Sequence, residues 1–172
     1  MDERKRLVEL KARYEDLARA RSLLKGSDHL GTYRQTDTYF ATGERRLKLR
    51  EIAGRASGQL IYYERGDGRA AKESQVLLYD VLDASILKAM LTRAFGVRVV
   101  VRKLRDIYRQ DGVQVHLDEV EGLGRFVEFE LAVESAAPSI AEGKARLTAL
   151  QARYAIPEED LIASSYSDLL AD

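Results

Sequence analysis

The sequence predicts an antiparallel α+β domain of about eight short strands with four helices. Two observations predict it. Short runs of alternating or β-branched residues follow one another across tight, glycine-bearing turns, without the long crossovers of βαβ units. The only two prolines stand near the C-terminal helices, so none interrupts a strand.

The elements follow in order. Lys5 to Arg13 alternates, with Leu7, Glu9, Lys11 and Arg13 on one face and Arg6, Val8, Leu10 and Ala12 on the other. Tyr14 to Lys25 has helical spacing through Leu17, Ala20 and Leu24, with Gly26 as its stop. Tyr33 to Ala41 is rich in Thr, Tyr and Phe, which favour strands. Arg45 to Ile52 alternates, Gln59 to Arg65 is the next strand and Lys72 to Val81 the one after. Asp83 to Phe95 reads as a helix with Asp83 as N-cap, Gly96 as stop, and Ile86, Leu87, Met90 and Leu91 as a sheet-covering stripe. Val97 to Tyr108 and Val113 to Val120 form a hairpin about the Asp111-Gly112 turn. Arg125 to Glu134 is the last strand. Pro138 to Tyr154 and Glu158 to Leu170 are the last helices, parted by Pro157.

With 172 residues, the chain is sized for one domain spanning 1–172. No linker or repeat divides it. Its 28 basic and 28 acidic residues cancel, which argues against a nucleic-acid partner. A mean hydropathy of −0.33 with 45% hydrophobic residues fits a globular chain. The absence of cysteine excludes disulfides and thiolate chemistry. No apolar run reaches the ~20 residues of a membrane helix, and Met1 to Arg6 lacks a signal-peptide pattern, so no membrane partner and a cytoplasmic location are expected.

The informative feature is the parity of the charges. Arg46, Lys48 and Arg50 form one row of like charge, Lys103 and Arg105 a second, and Glu128 and Glu130 a third, each alternating with apolar residues. Glu9 shares a face with Lys11, and His116 with Asp118. A solvated face would mix signs, because like neighbours repel. If the sheet curls into a barrel with these rows inside, the cations converge on an anion. The carboxylates could then hold a hard divalent cation. Such a set suits metal-bound polyphosphate, gripped by Arg forks and Lys point charges.

In these residues the chain resembles the CYTH superfamily, the triphosphate tunnel metalloenzymes, which include class IV adenylyl cyclases, thiamine triphosphatases and inorganic triphosphatases. The resemblance runs from about Leu7 to Leu170. Val8-Glu9-Leu10-Lys11 is similar to the end of the signature E-x-E-x-K, and Asp37-Thr38-Tyr39-Phe40 to D-x-Y-[FYD]. Leu47-Lys48-Leu49-Arg50 resembles the phosphate-binding L-R-[IL]-R, and Lys103 and Arg105 resemble K-x-R. The run from Leu117 to Gly124 is similar to L-D-x-V-x-x-L-G, Phe126 to Glu130 to F-x-E-x-E, and Ser165 to Leu170 to the tail S-Y-x-[DE]-L-[IL].

The resemblance implies an eight-stranded antiparallel β tunnel, closed or nearly so, with flanking helices. It implies triphosphate binding by Lys11, Arg46, Lys48, Arg50, Arg65, Lys72, Lys103 and Arg105. It implies Mg²⁺ or Mn²⁺ held by Glu9, Glu128 and Glu130, with Asp118 as a further ligand. Tyr39 and Arg65 are the catalytic candidates, Tyr39 for proton transfer. The expected activity is divalent-metal-dependent action on a nucleoside, thiamine or inorganic triphosphate, by phosphohydrolysis or by pyrophosphate elimination from ATP. Two residues depart from the pattern. Leu7 replaces the first signature Glu, and Arg65 stands where small triphosphatases carry a Lys that pairs with the tyrosine. An arginine stays protonated and transfers protons poorly. These departures motivate the alternative, a non-catalytic polyphosphate- or nucleotide-binding module with an impaired metal site. Beyond the small-molecule triphosphate, the sequence leaves a homodimer open.

Overall fold

In the computed structural model, residues 3–65, 69–133 and 138–171 are described; of Glu3, Arg4 and Arg65 only the backbone is. The elements run β1 (Glu3–Arg13), α1 (Leu17–Leu23), β2 (Asp28–Phe40), β3 (Arg46–Ile52), β4 (Gly58–Arg65), β5 (Lys72–Val81), α2 (Ala84–Phe95), β6 (Val97–Gln110), β7 (Val113–Val120), β8 (Gly124–Val133), α3 (Ile140–Arg153), a 3₁₀ turn (Glu158–Asp160) and α4 (Tyr166–Ala171). The eight strands close a barrel in the order β1-β5-β4-β3-β2-β6-β7-β8. Every neighbouring pair is antiparallel, and β1 completes the ring by pairing with both β5 and β8. The expected eight-stranded antiparallel tunnel with flanking helices is the fold.

Closure gives the alternating pattern its meaning. The apolar rows face outward and are covered by helices. Val8 and Leu10 of β1, Val115 and Leu117 of β7, and Val127 and Phe129 of β8 are buried under α1 and α3, with Leu17, Ala20, Leu147 and Tyr154 against them. Close packing of α3 depends on Gly143: a Cβ there would stand 3.2 Å from both Val8 and Val133. A second cluster packs Phe40, Leu49, Val81 and Ala84, with Leu87 and Leu91 of α2. The inward rows are thereby freed to be charged.

Local chemistry accounts for the element ends. Asp83 caps α2, accepting from the amides of Ser85 and Ile86 at 3.1 and 3.2 Å. Ser139 and Glu142 form a reciprocal capping box on α3. Asp111 and Gly112 both take positive φ, 51° and 79°, as a tight hairpin turn requires.

Four expectations are corrected. Helix α1 begins only at Leu17, where Asp16 caps it at 2.9 Å. Strand β2 starts at Asp28 rather than Tyr33; a bulge between His29 and Gly31 breaks the alternation that would reveal its first residues. Of the stripe on α2, Leu87 and Leu91 pack inward, but Ile86 and Met90 are 60% and 62% exposed, one residue round the helix from that partly buried pair. The stretch from Glu158 to Leu170 is not one helix. Leu161 bridges to Ala12 of β1, the Ile162 amide donates to the Lys11 carbonyl, and helix resumes only at Tyr166. Among the described residues no helix is long and apolar enough to cross a membrane.

Candidate functional site in the barrel

The inward rows enclose a cavity of about 370 Å³. Lys11, Lys48, Arg50, Lys103 and Arg105 line it, as do Glu9, Glu128, Glu130, His116 and Tyr39. The separate charged rows therefore converge on one cavity, Arg46 excepted.

Four of these cations are held by two buried carboxylates. Asp37 is fully buried on β2, opposite Arg50 in register. It accepts from Arg50 Nε and Nη2, both at 2.8 Å, from Lys48 Nζ at 2.9 Å and from Lys103 Nζ at 3.0 Å. Burial works to raise the Asp37 pKa, but Arg50, Lys103 and Lys48 outweigh it and hold the group ionised, well below the usual range. Burial pulls the Lys103 ammonium pKa down, with Arg105 and Arg50 adding to the effect against Asp37.

Asp118 is the second anchor. It accepts from Arg105 Nε at 2.7 Å and Nη2 at 2.6 Å, and from the Tyr166 hydroxyl at 2.7 Å. Burial opposes its ionisation, yet Arg105 keeps its pKa low. The sequence placed Asp118 among the metal ligands; its oxygens are instead turned to Arg105 and Tyr166, which fixes a guanidinium.

A different group could hold a cation. Ligand atoms of His116, Glu128 and Glu130 lie within 4.8 Å of one another. His116 Nδ1 stands 3.3 Å from Glu128 and 3.9 Å from Glu130. Lys11 pairs with Glu128 at 2.9 Å. Burial and the neighbouring Glu128 push the Glu130 pKa well above its usual value. Burial, then Arg105, lowers the His116 pKa to about 4, leaving a neutral imidazole able to ligate at neutral pH. This donor set, one nitrogen and two carboxylates, fits a divalent ion. Glu9 lines the cavity as the register partner of Glu130 but stands outside the group.

Two other expected residues lie elsewhere. Arg46 is off the cavity, where it donates to Asp168 at 2.7 Å and to Ser165 at 3.1 Å. Lys72 donates to the Ala163 carbonyl, tying down the C-terminal segment. The side chain of Arg65 falls outside the described residues. Tyr39 lines the cavity beside Lys48, whose Nζ is 3.3 Å from its hydroxyl. Burial, then Asp37, drives its pKa far up, so at neutral pH it is a hydroxyl and not a phenolate.

Asp37, Tyr166 and His116 stand outside the site residues expected from the sequence. Parity was the available signal. Asp37 shares the Tyr39 face of β2, and His116 the Asp118 face of β7. Tyr166 comes from a segment whose path across the barrel end no local pattern announces.

The CYTH domain family matches residues 3–166. A Pyrococcus horikoshii protein of known structure is 27% identical with a TM-score of 0.84, over 95% of this chain and 98% of that one. A conserved hypothetical protein from Pyrococcus furiosus is 22% identical with a TM-score of 0.82, over 95% and 99%. A Vibrio parahaemolyticus protein provisionally assigned as an adenylate cyclase is 22% identical with a TM-score of 0.78, over 98% and 99%. No curated protein matches the chain.

Proposed function

We propose, from the premise that the chain belongs to the CYTH domain family, that it is a divalent-metal-dependent enzyme acting on a triphosphate inside its tunnel. The observation that carries this reading is the juxtaposition within one cavity of Lys48, Arg50, Lys103 and Arg105 with the group of His116, Glu128 and Glu130. The provisional cyclase assignment of the Vibrio parahaemolyticus structure is consistent with it.

The chain's own residues supply positioning and charge. Asp37 and Asp118 fix four cations before substrate arrives, so little reorganisation is needed when phosphate oxygens meet them. Arg50 and Arg105 offer bidentate forks, and Lys48, Lys103 and Lys11 offer point charges. Glu128 and Glu130, with His116 and Glu9 beside them, would hold Mg²⁺ or Mn²⁺. The bound ion would neutralise developing charge on the phosphates. Tyr39, protonated and buried, serves as a hydrogen-bond donor to the substrate and not as a base. Phosphoryl chemistry of this kind depends mainly on in-line positioning. Attack by water gives hydrolysis; attack by a ribose hydroxyl gives cyclisation with loss of pyrophosphate.

The test is a single assay with ATP, GTP, thiamine triphosphate and tripolyphosphate, each with Mg²⁺ and with Mn²⁺. It reads phosphate, pyrophosphate and cyclic nucleotide. Turnover that collapses in Arg105→Ala and Glu128→Gln is expected. A second reading, a binding module without turnover, is favoured by Leu7, which faces the cavity where the family signature carries an acid. It predicts binding without any product in that assay.

A further inference from the structure

A closed barrel has no free strand edge, so a further contact must use an outer face. The large hydrophobic side chains left exposed among the described residues all fall in one stretch, from Leu77 to Val97. Their exposure runs from 36% at Leu77 through 56% at Tyr79 to 92% at Leu82. Ile86 and Met90 of α2 belong to the same stretch.

These residues form one surface. Alternation turns Leu77 and Tyr79 outward, away from the cavity that Val76 and Leu78 line. Tyr79 lies opposite Leu60 in register, and Leu60 packs beneath α2 with Leu87 and Leu91. On α2, Lys88 marks one flank, where it pairs with Glu51 of β3 at 2.8 Å. Ile86 and Met90 stand on the opposite flank. Leu82, between the end of β5 and the start of α2, joins the sheet part to the helix part.

Three properties of this surface fit a second copy of itself. The first is shape. Leu82, Ile86 and Met90 are spaced four residues apart, so they make a single ridge, and the small, exposed Ser85 and Ala89 make a groove beside it. A ridge next to a groove accepts the same pair turned end for end, as a two-fold interface demands. The second is charge. Asp83 is exposed at the N-terminus of α2 and Arg93 is exposed in its last turn. Two antiparallel α2 helices set each Asp83 beside Arg93 of the other copy, with the two-fold axis near Ala89. The third is area. Leu77, Tyr79, Leu82, Ile86 and Met90 together expose roughly 600 Å² of side chain. That is at the upper limit of the ~300–600 Å² patch a typical monomer shows. Two copies would bury about 1,200 Å², above the ~1,000 Å² that a specific interface needs.

We propose that the outer face of β5 and α2 is a two-fold interface between two copies of this chain, with α2 packed antiparallel on α2. Leu82, Ile86 and Met90 are its apolar anchors, and Asp83 and Arg93 set its direction. Each copy keeps its own tunnel, because the interface uses the outward residues of β5 and leaves Val76 and Leu78 inside. The inference does not rest on the triphosphate reading.

Sedimentation equilibrium of the full chain tests it. A species of twice 19.4 kDa is expected at concentrations of about 10 μM and above. Met90→Glu should weaken association at least tenfold, and Arg93→Glu at least threefold, each with the parent's melting transition, since both side chains are exposed. The chain has no cysteine, so one introduced thiol reports position cleanly. Under copper–phenanthroline oxidation, Ala89→Cys should cross-link two copies, and Glu159→Cys, exposed on the 3₁₀ turn, should not. A parent chain that stays at 19.4 kDa at about 100 μM overturns the inference. So does a dimer that persists in folded Met90→Glu, or one that Glu159→Cys cross-links as readily as Ala89→Cys.

Discussion

Asp37 concentrates more interaction than any other residue described in the barrel wall. Its two oxygens serve three cations, at distances from 2.8 to 3.0 Å. Buried ion clusters of this kind contribute little net stability while complete, but losing one member leaves uncompensated charge. Asp37→Ala is therefore expected to lower unfolding free energy by about 3–5 kcal/mol. An unfolding free energy within about 0.5 kcal/mol of the parent's in denaturant titration would contradict this account. His116 gives an acid-limb prediction. In the unfolded chain its imidazole protonates near pH 6.5, but in the barrel only near 4. Between those values the unfolded chain binds more protons, so stability falls as pH drops from 6.5 to 4. The loss amounts to about 3 kcal/mol when complete. His116→Gln should flatten that part of the stability–pH curve, and an unchanged slope would sink the assignment. Residue parity made much of this legible: every charged row inferred from alternation faces the cavity at least in part. Which carboxylate would serve which cation was not legible, because Asp37 and Asp118 differ from Glu128 only in what stands opposite them across strands.

At the scale of elements, the strands and their tight turns could be read from the sequence because side-chain alternation is local. The C-terminal stretch could not. Helical spacing from Glu158 to Leu170 is real as a pattern, but pairing of Leu161 with Ala12 and bonding of Ile162 to Lys11 override it. That pairing brings Tyr166 onto Asp118 at 2.7 Å and its ring to within 4.0 Å of Lys11 Nζ. Arg46 and Lys72, expected on phosphate, are drawn to the same segment. Removing the Tyr166 hydroxyl leaves a buried acceptor on Asp118 short of a donor. Tyr166→Phe should cost about 1–3 kcal/mol and loosen Arg105 as well. Thermal melting reports the first effect; weaker binding of tripolyphosphate reports the second.

For the whole molecule, the cancelling 28 and 28 charges hide their spatial sorting. The far field is weak, as the sum implies, yet the interior collects cations around two buried anions. Net charge bears on steering and solubility, not on the inside of a barrel. A triphosphate that binds only the folded barrel should raise stability with the logarithm of its concentration, by about 2.7 kcal/mol at a hundred times Kd, and the melting temperature with it. Differential scanning fluorimetry with each triphosphate measures it directly.

Closure also sets a timetable. Strand β1 is the first element of the chain, yet its partners are β5 and β8: Glu9 waits for Lys72 on one side and for Glu130 on the other. At translation speeds of ~5–20 residues per second, the second partner emerges roughly 6–24 s after the first strand has been made. Through that interval β1 carries an unpaired edge with Val8 and Leu10 uncovered, a stretch a chaperone could hold. Refolding of the full-length chain should be governed by this distant pairing, on the millisecond-to-second scale of non-local β topologies. Stopped-flow refolding, with Val8→Ala slowing the folding limb if β1 docks in the transition state, would time the moment the ring closes.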